Sequence, residues 1–408
     1  MKQNAFIAGV GMTKFGKHLE RSLKSLGEEA VTAALADAGL SSDDLNAAYF
    51  GNVGAGMLTG QACVPGQVIL RNMGIGGIPV INVENACASS ATAFFQACAM
   101  VTSGAYDVVL AFGAEKLFHE DRAKTNAVFE GGVDIDKKDE LLALTRAKLV
   151  DLGHEPPPEA RSRSLFVDIY VSWALDHMQR YGTTREHMAA VSAKNSAHGA
   201  LNPYAQFRSV LTVEDVLKSR EIVWPLTLPM CSPIGDGAAA AVIVSERKAK
   251  QLGVASCVKV RGCALASGYD SAEGEAPPPA AEAAKIYQET GVNPADLDCI
   301  ELHDASAISE LMYYEYLGLC EPGEGGQLVA DGVTKLGGKC PVNTSGGLMR
   351  KGHPIGATGV SQIVELTWQL RGLAGARQVE GAKLAMAENG GGFIGSDVAA
   401  LAYTVLEA

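Results

Sequence analysis

The chain has 408 residues, of which 47% are hydrophobic and 20% are charged. These values fit a globular protein of about two domains and argue against a disordered or fibrous chain. Its 34 basic and 46 acidic residues give a net charge of −12, which argues against a general nucleic-acid binder. No apolar run approaches the roughly 18 residues of a membrane span, so we expect no membrane partner.

The nine cysteines are scattered along the chain, and no two of them have Cys-x-x-Cys spacing. This pattern indicates neither a zinc ribbon nor a disulfide framework, and we expect no metal in this chain. The first ten residues follow a short strand pattern rather than that of a secretory signal. The simplest interpretation is therefore a protein of the reducing cytoplasm.

A diverged repeat divides the chain. Residues 30–46 and 282–298 each contain an alanine-rich helix, a glycine that can end it, a short turn and Asp-Leu-Asn or Asp-Leu-Asp. Later in each half, an apolar strand ends in a turn with a glutamate, at 108–115 and 384–390. The shared order of elements predicts a duplication. Strands that alternate with helices predict two βαβαβ halves with mostly parallel strands buried on both faces.

The segment between these repeats differs in composition and in hydrophobic pattern. Residues 118–230 combine a charged stretch, a proline run at 156–158 and amphipathic helical patterns at 169–181 and 184–198. We predict a helical insertion into the first half, which a buried strand at 236–245 closes. The predicted domains are 1–117 plus 231–248 for the first half, 118–230 for the inserted loop domain, and 249–408 for the second half.

Cys87 is the first candidate for chemistry. An apolar extended run reaches Glu84, small residues follow, and an apolar helical pattern then begins. Cys87 therefore lies at a strand-to-helix turn, where the partial positive charge of the helix lowers the pKa of a thiol and favours the nucleophilic thiolate. A lone cysteine is more often a small buried hydrophobe, an interpretation that suits Cys98 better.

His353 lies in a glycine-rich segment, residues 343–359, with the sequence NTSGGLMRKGHPIGATG. Its five glycines allow the backbone to approach a ligand closely. The histidine could act as the base for a thiol or as a donor to an oxyanion. A lone histidine is more often structural, but a glycine-rich turn followed by Pro354 favours function.

Two further polar turns follow strands. In ELHDASAIS, residues 301–309, His303 and Asp304 could orient one another, or His303 could point into a site. In ENGGGFIG, residues 388–395, three consecutive glycines could present backbone amides to an anion or an oxyanion. These turns become informative through their combination with Cys87, His353 and the duplication.

The combination resembles the thiolase superfamily, and most closely its branch named for the thiolase fused to sterol carrier protein. The motif ENACASS around Cys87 resembles the nucleophile motif, and the segment around His353 resembles the Gly-His-Pro motif. The segment ELHDASAISELMYYEYLGL resembles the His-Asp-Cys-Phe motif of that branch. Together with AFIAGVGMTKFGK, YGTTREHMAAVSAKNSAHGALNP and CSPIGDGAAAAV, the resemblance covers nearly the whole chain.

The resemblance implies a five-layered αβαβα fold of two similar halves, with an inserted loop domain that binds coenzyme A as co-substrate. It implies that Cys87 takes an acyl group and that His353 activates its thiol. It further implies that His303 and His353 form an oxyanion hole for the acyl-CoA oxygen, while the backbone amides of Cys87 and Gly390 hold the acyl-enzyme oxyanion.

The chain departs from the family at the acid/base thiol. Many thiolases carry a second cysteine at the start of the last glycine motif, where this chain has Glu388. The sterol-carrier branch supplies a cysteine from its His-Asp-Cys-Phe motif, where this chain has Ala305 and Ser306. A buried carboxylate can be tuned towards neutral pH, so Glu388 is our candidate acid. The other interpretation is that the proton shuttle is lost and the reaction has changed.

Three functions remain in competition. The first is a CoA-dependent thiolase, an acyltransferase that cleaves or forms a 3-oxoacyl-CoA through a cysteine acyl-enzyme. The second is a retro-aldolase on a CoA thioester, which needs no nucleophilic Cys87. The third is a non-catalytic acyl-CoA-binding subunit. Because Ala305 and Ser306 could enlarge the acyl pocket, a bulky or aromatic acyl group of the benzoylsuccinyl type is one hypothesis.

Binding partners follow from the same resemblance. The phosphates of coenzyme A need local cations in an acidic chain, and Arg208, Arg350 and Lys351 lie nearest the matching motifs. Ordinary solvated surface is the alternative for each of them. The family implies a homodimer or tetramer. Relatives in this branch also form complexes with a small zinc-ribbon and OB-fold subunit, which here must be a separate polypeptide.

Overall fold

A computed structural model describes residues 1–154, 164–272 and 274–408. The proline run at 156–158 lies outside the described residues. All nine cysteines are free thiols. Among the helices of the described ranges, we find none whose length and apolarity would let it cross a bilayer.

Eleven strands form the described sheets. Their bounds are β1 Lys2–Met12, β2 Ala47–Gly51, β3 Val80–Val83, β4 Val108–Glu115, β5 Glu221–Val223, β6 Leu226–Thr227, β7 Gly237–Ser245, β8 Val258–Ser267, β9 Cys299–Glu301, β10 Leu384–Gly391 and β11 Ala400–Glu407.

Fifteen α-helices accompany them in the described parts of the chain. Their bounds are α1 Leu23–Ala38, α2 Ala55–Leu58, α3 Pro65–Asn72, α4 Ser89–Thr102, α5 Arg122–Glu130, α6 Lys138–Asp151, α7 Leu165–Tyr181, α8 Arg185–Leu201, α9 Val213–Lys218, α10 Glu246–Leu252, α11 Pro278–Thr290, α12 Ala307–Tyr316, α13 Gly325–Ala330, α14 Gly347–Lys351 and α15 Thr358–Leu370.

Nine strands form one sheet in the order β3-β2-β4-β7-β1-β8-β11-β10-β9. The order is nearly palindromic about the antiparallel pair β1–β8, which joins the two halves. In each half the first strand pairs at the seam, the middle strands run parallel to one another, and the last strand lies antiparallel between them and the seam strand. The prediction of mostly parallel strands is therefore wrong, because the strand that closes each half and the seam itself are antiparallel.

The layers match the predicted αβαβα arrangement. Helices α4 and α15 pack against each other, and each also contacts strands of both halves, so they form the central layer. Alanines and aliphatic side chains from β1, β4, β7 and β10 complete that apolar core. Helix α1 covers the outer face of the first half, and α11 and α12 cover that of the second.

The duplication predicted from the sequence recurs in local geometry. Gly39 ends α1 and Gly291 ends α11, both in the left-handed conformation that glycine adopts without strain. A short 3₁₀ turn with a capping box follows each glycine and leads into β2 or β9. The central helices α4 and α15 hold equivalent places before β4 and β10.

Helices dominate the described part of the insertion. The two predicted amphipathic helices are confirmed, although α7 begins four residues earlier than predicted, and α8 runs from Arg185 to Leu201. The predicted closing strand is β7. The exact domain boundaries remain predictions.

Candidate active site

Cys87 lies in the turn between β3 and α4, as the sequence predicts. The preceding residue, Ala86, has a φ of 47°, a left-handed conformation that is unusual for a residue with a side chain. Gly391 packs directly against this turn, since a Cβ at that position would lie 2.2 Å from the Asn85 carbonyl oxygen. A strained turn held by close backbone packing is typical of a functional residue.

The protonation state of Cys87 differs from the expectation. Burial, with the neighbouring carboxylates of Glu115 and Glu84, raises the pKa of the Cys87 thiol to about 12. The predicted lowering of this pKa is therefore wrong, because burial and the two nearby carboxylates disfavour the thiolate. The resting group is a thiol, and it needs a base to become a nucleophile.

His353 has the position and the protonation state that such a base needs. It follows Gly352, whose φ of 114° is accessible to glycine but not to larger residues. The Thr358 hydroxyl lies 2.8 Å from His353 Nδ1 and donates its own proton to the Pro354 carbonyl at 3.1 Å. Nδ1 therefore carries the proton in this arrangement, and Nε2 is the free acceptor. Burial and His303 hold the pKa of His353 well below its usual value, so the ring is neutral.

His303 follows β9, and its ring points into the site. Its ring centroid lies 5.1 Å from that of His353, and its Nε2 is buried without a hydrogen-bond partner among the described residues. Burial lowers the pKa of His303 to about 4, so it is a neutral donor at pH 7. Asp304 instead accepts hydrogen bonds from Asn195 and the Leu348 amide, so it does not orient His303.

The fold brings these three predicted residues together. One ligand atom from each of Cys87, His303 and His353 lies within 4.8 Å of the other two. A neutral thiol beside a neutral imidazole can transfer its proton as the sulfur attacks. A sulfur and two imidazole nitrogens are also donors that zinc accepts, so the absence of a metal remains a prediction.

A small cavity opens above the thiol. Its lining contains Cys87, His303 and Gly390 together with Phe166, Ile169, Tyr170, Trp173, Ser309, Tyr313, Gly391, Gly392, Phe393 and Val398. We call it the catalytic cavity. The backbone amides of Cys87 and Gly392 both donate towards the Cys87 sulfur. The sequence resemblance assigns this role to the amide of Gly390. The structure adds the amide of Gly392 beside the thiol.

Glu388 lies on β10, beneath this cavity. Its side chain is fully buried, and its Oε2 accepts a hydrogen bond of 3.0 Å from the His303 amide. Oε1 has no hydrogen-bond partner among the described residues. Burial raises the pKa of Glu388 to about 8, so the carboxyl is largely protonated at pH 7. This is the protonation state of an acid that must donate near neutral pH.

A larger cavity of about 840 Å³ adjoins the catalytic cavity. The two cavities share Trp173, Ser309 and Tyr313. We call the larger one the outer cavity; it extends between α7, α12 and residues 274–280, and its apolar lining includes Tyr181, Met312 and Tyr316. Ala305 and Ser306 line neither cavity, and both are buried in packed surroundings. Their small size therefore does not itself create this space.

The three predicted cations have different surroundings. Arg208 is exposed, whereas Arg350 is buried, donates to the Ser209 carbonyl at 2.5 Å and stacks on Phe207. Lys351 is fully buried and pairs with Glu301 at 3.3 Å. This ion pair speaks against a contact between Lys351 and a CoA phosphate, because a buried cation cannot leave its partner without a large desolvation penalty.

Several residues of the site carry no motif that singled them out. Glu115 accepts hydrogen bonds from the amides of Val53, Gly54 and Gly356, and so ties the first half to the turn after His353. Tyr313 lines both cavities. The sequence signal for Glu115 was its place at the end of an apolar strand, whereas Tyr313 lies in an ordinary helical pattern that gives no functional signal.

Family models match both halves of the chain. Residues 5–223 match the model described as "Thiolase, N-terminal domain", and residues 271–404 match "Thiolase C-terminal domain-like". The chain belongs to the thiolase family. This membership confirms the predicted fold and the predicted enzyme class of acyltransferases.

Curated relatives cover nearly the whole chain. "Sterol carrier protein 2" of Bos taurus is 38% identical over 99% of this chain and 72% of its own. "Acetyl-CoA acetyltransferase" of Methanothermobacter thermautotrophicus is 38% identical over 95% of this chain and 96% of its own. "Benzoylsuccinyl-CoA thiolase subunit BbsB" of Thauera aromatica is 35% identical over 93% of this chain and 92% of its own.

Two solved structures illustrate the fold. The "Ltp2-ChsH2(DUF35) aldolase" has a TM-score of 0.76 and 26% identity, and the match covers 99% of this chain and 98% of that one. Human mitochondrial 3-ketoacyl-CoA thiolase in complex with CoA has a TM-score of 0.70 at 16% identity, with 100% of this chain and 98% of that one covered. At that identity the second likeness concerns the fold alone.

Proposed function

We propose that this protein is a CoA-dependent thiolase that cleaves or forms a 3-oxoacyl-CoA through an acyl-enzyme on Cys87. The observation that carries the proposal is the convergence of Cys87, His303 and His353 within 4.8 Å, where Cys87 and His303 line one small cavity. A nucleophile, a neutral base and an unpaired neutral donor are the groups that acyl transfer needs.

In the cleavage direction, the Cys87 sulfur attacks the 3-oxo carbon while its proton moves to His353 Nε2. The bond between C2 and C3 then breaks, which leaves an acyl group on Cys87 and the enolate of the shortened CoA ester. His303 Nε2–H donates to the thioester oxygen of that enolate. Free CoA finally loses its thiol proton to solvent and attacks the acyl-enzyme; the bond between the acyl group and the Cys87 sulfur breaks, and His353 returns its proton to that sulfur.

The enolate carbon also needs a proton. In this proposal Glu388 is its source, in place of the family's second cysteine. Its buried carboxyl, its unpaired Oε1 and its pKa of about 8 support an acid at this position. The alternative is a structural carboxylate that only holds the His303 amide.

The outer cavity supports a bulky, uncharged acyl group as the substrate's variable part. Four carboxylates line it, those of Asp176, Glu275, Glu315 and Asp397, against Arg180 and His177. This excess of acid repels the phosphates of coenzyme A and leaves the aromatic walls for the acyl group. An aryl 3-oxoacyl-CoA of the benzoylsuccinyl type has such a group, and the similar protein BbsB is a subunit of a benzoylsuccinyl-CoA thiolase.

The test is an assay of the purified enzyme with free CoA and a panel of 3-oxoacyl-CoA esters. Acetoacetyl-CoA, a medium-chain ester and an aryl ester should all be cleaved. The aryl ester should have a kcat/KM at least about tenfold higher than acetoacetyl-CoA, because burial of about 50–60 Å² of additional apolar surface stabilises its transition state by that factor. Intact mass spectrometry should show an acyl adduct on the protein. No thiolytic product from any ester would refute the function, and a preference for acetoacetyl-CoA would refute the bulky acyl site.

The CoA nucleotide binds, in this proposal, beside the glycine-rich segment. Phe207 is 43% exposed, stacks on Arg350 and is followed by the exposed Arg208. The Phe207 amide donates to the Arg350 carbonyl, which joins this loop to the segment that carries His353. An exposed aromatic ring with cations beside it is a suitable surface for an adenine nucleotide.

Replacement of Arg208 by alanine should therefore raise the KM for CoA about three- to tenfold and leave kcat within twofold, since an exposed phosphate contact acts in binding only. Steady-state kinetics with varied CoA measure both. Lys24→Ala, on the outer helix α1, is the matched control for loss of one exposed positive charge. A fall in kcat without a change in KM would contradict the binding role.

A retro-aldolase on a CoA thioester is the second candidate. The aldolase named above covers nearly the whole chain at 26% identity, and Glu388 could serve as an acid or base without any thiol chemistry. A retro-aldol reaction forms no bond to Cys87, so the acyl adduct in the mass spectrum distinguishes the two functions.

For assembly, we propose a homodimer or tetramer that works with a separate small zinc-ribbon and OB-fold subunit. Two similar proteins support the partner: BbsB of Thauera aromatica is a subunit of its thiolase, and the aldolase structure joins Ltp2 with ChsH2(DUF35). The same assay with and without a co-expressed small subunit tests this. Full activity of the chain as a pure homo-oligomer would refute the need for a partner.

A further inference from the structure

Tyr313 lies at the boundary between the two cavities. It stands on α12, is 3% exposed and lines both the catalytic cavity and the outer cavity. Its hydroxyl is buried; it forms no full hydrogen bond to a described residue, and its hydrogen-bonding neighbour is the Glu388 carboxyl. A phenol at the meeting point of the thiol site and the acyl site is placed to contact the carbon between them.

The phenol also lies between Glu388 and the substrate space. The Glu388 carboxyl is its immediate neighbour and, with burial, raises the pKa of Tyr313 far above its usual value. Tyr313 Oη and His303 Nδ1 each lie 3.5 Å from the point where a Cβ at Gly390 would sit, so the absent side chain leaves this space open. Glu388 itself does not line the catalytic cavity, whereas Tyr313 does.

The Tyr313 hydroxyl and Glu388 Oε1 face each other. Neither forms a full hydrogen bond to a described residue, but each is the other's hydrogen-bonding neighbour. Phenylalanine would fill the same space, so loss of this weak contact should change the stability of the fold little. The pair forms a path along which a proton can pass from Glu388 to the wall of the catalytic cavity.

We propose that Tyr313 is the catalytic residue that exchanges a proton with the substrate carbon, and that Glu388 is the proton reservoir behind it. This proposal rests on the thiolase function proposed above and names the group that replaces the missing second thiol. The class of substrate is any CoA ester whose C2 becomes an enolate when its bond to C3 breaks.

The proton balance closes over one turnover. When the bond between C2 and C3 breaks, C2 takes the phenolic proton of Tyr313, and the Glu388 carboxyl restores it. In the second half-reaction the thiol of free CoA loses its proton to solvent and its sulfur attacks the acyl-enzyme, while the Glu388 carboxylate regains a proton from solvent through Tyr313. The Cys87 sulfur departs with the proton held by His353, so every group regains its starting state.

The test compares Tyr313→Phe with Tyr316→Phe. Tyr316 lines only the outer cavity, with its ring centroid 5.5 Å from that of Tyr313, so its variant controls for loss of a neighbouring hydroxyl. Two half-reactions are measured separately by mass spectrometry: exchange of the C2 protons of acetyl-CoA in D₂O, and formation of the acetyl adduct on Cys87 from acetyl-CoA, which breaks no C–C bond. Thermal unfolding is recorded for both variants.

Tyr313→Phe should slow C2 proton exchange and C–C cleavage by about 10²-fold or more, the usual scale for loss of a general acid or base. It should form the Cys87 adduct within a few-fold of the wild-type rate and unfold at the same or a higher temperature. Tyr316→Phe should change neither half-reaction by more than a few-fold.

Three outcomes would overturn the proposal. Normal C2 exchange in Tyr313→Phe, with exchange lost in Glu388→Gln, would show that Glu388 reaches the substrate directly. An equal loss of adduct formation and exchange, or a lower unfolding temperature, would show a structural role for Tyr313. If the wild-type protein itself forms no adduct and exchanges no protons, the failure lies with the proposed thiolase function and not with the choice of Tyr313.

Discussion

Replacement of Cys87 by alanine should abolish thiolytic cleavage, with a loss of at least about 10⁴-fold in kcat, because no other thiol lines the catalytic cavity in the described structure. The fold should survive, since the change removes one sulfur atom from the edge of a cavity and leaves the packed core unaltered. Steady-state rates with the preferred 3-oxoacyl-CoA and the intact mass of the protein measure the effect.

Cys98→Ala is the matched control for the Cys87 variant. Cys98 is also a buried thiol, and it lies on helix α4 in the apolar core of the central layer. We expect its activity to stay within twofold of wild type. Equal losses in the two variants would mean that the site has been misassigned. Retained C–C cleavage in Cys87→Ala would favour the retro-aldolase.

Replacement of Glu388 by glutamine should depress C–C cleavage by about 10²-fold or more while Cys87 acylation changes much less, because glutamine keeps the shape and loses the transferable proton. In the wild type, cleavage should fall as the pH rises through about 8, since the donor is the protonated carboxyl and its pKa is raised to about 8. The variant should lack this limb of the pH profile. Equal losses in both half-reactions would indicate a structural role instead.

The raised pKa of Glu388 also predicts how the stability of the fold depends on pH. The folded-state pKa of Glu388 is about 8 against an ordinary value of 4.5, so the folded protein holds a proton that the unfolded chain releases. Its stabilising effect is complete below pH 4.5 and disappears as the pH rises through 8. Denaturant unfolding at pH 6 and pH 9 should therefore show Glu388→Gln gaining stability relative to wild type at pH 9, by a few kcal/mol. An unchanged difference would mean that the carboxyl is ionised at both pH values.

Much of the fold could be predicted because its signals are local. The glycines that end α1 and α11, the capping boxes and the apolar strands all act within a few residues. Strand direction could not be predicted in this way. Whether β7 and β11 return antiparallel, and whether β1 pairs with β8, depends on contacts between segments that are distant in the sequence.

In the active site, too, local features could be predicted and features that depend on packing could not. Cys87, His303 and His353 each stand in a turn with its own motif, and the fold places them together. The pKa of Cys87 was mispredicted, because the helix start is visible in the sequence while the carboxylates and the loss of water around the sulfur are not. Tyr313 carries no such signal, because only the packed structure shows that it lies beside Glu388 and lines the catalytic cavity.

The pairing of α4 with α15 has a consequence for how such a site can arise. Cys87 stands just before α4, and His353 stands just before α15, so the nucleophile and the base occupy corresponding places in the two halves. Two copies of a single half, related by an exact twofold axis, would bring two identical side chains to that point. Because both halves belong to one polypeptide, the two positions are free to differ, and a thiol can face an imidazole where symmetry alone would place two thiols or two imidazoles.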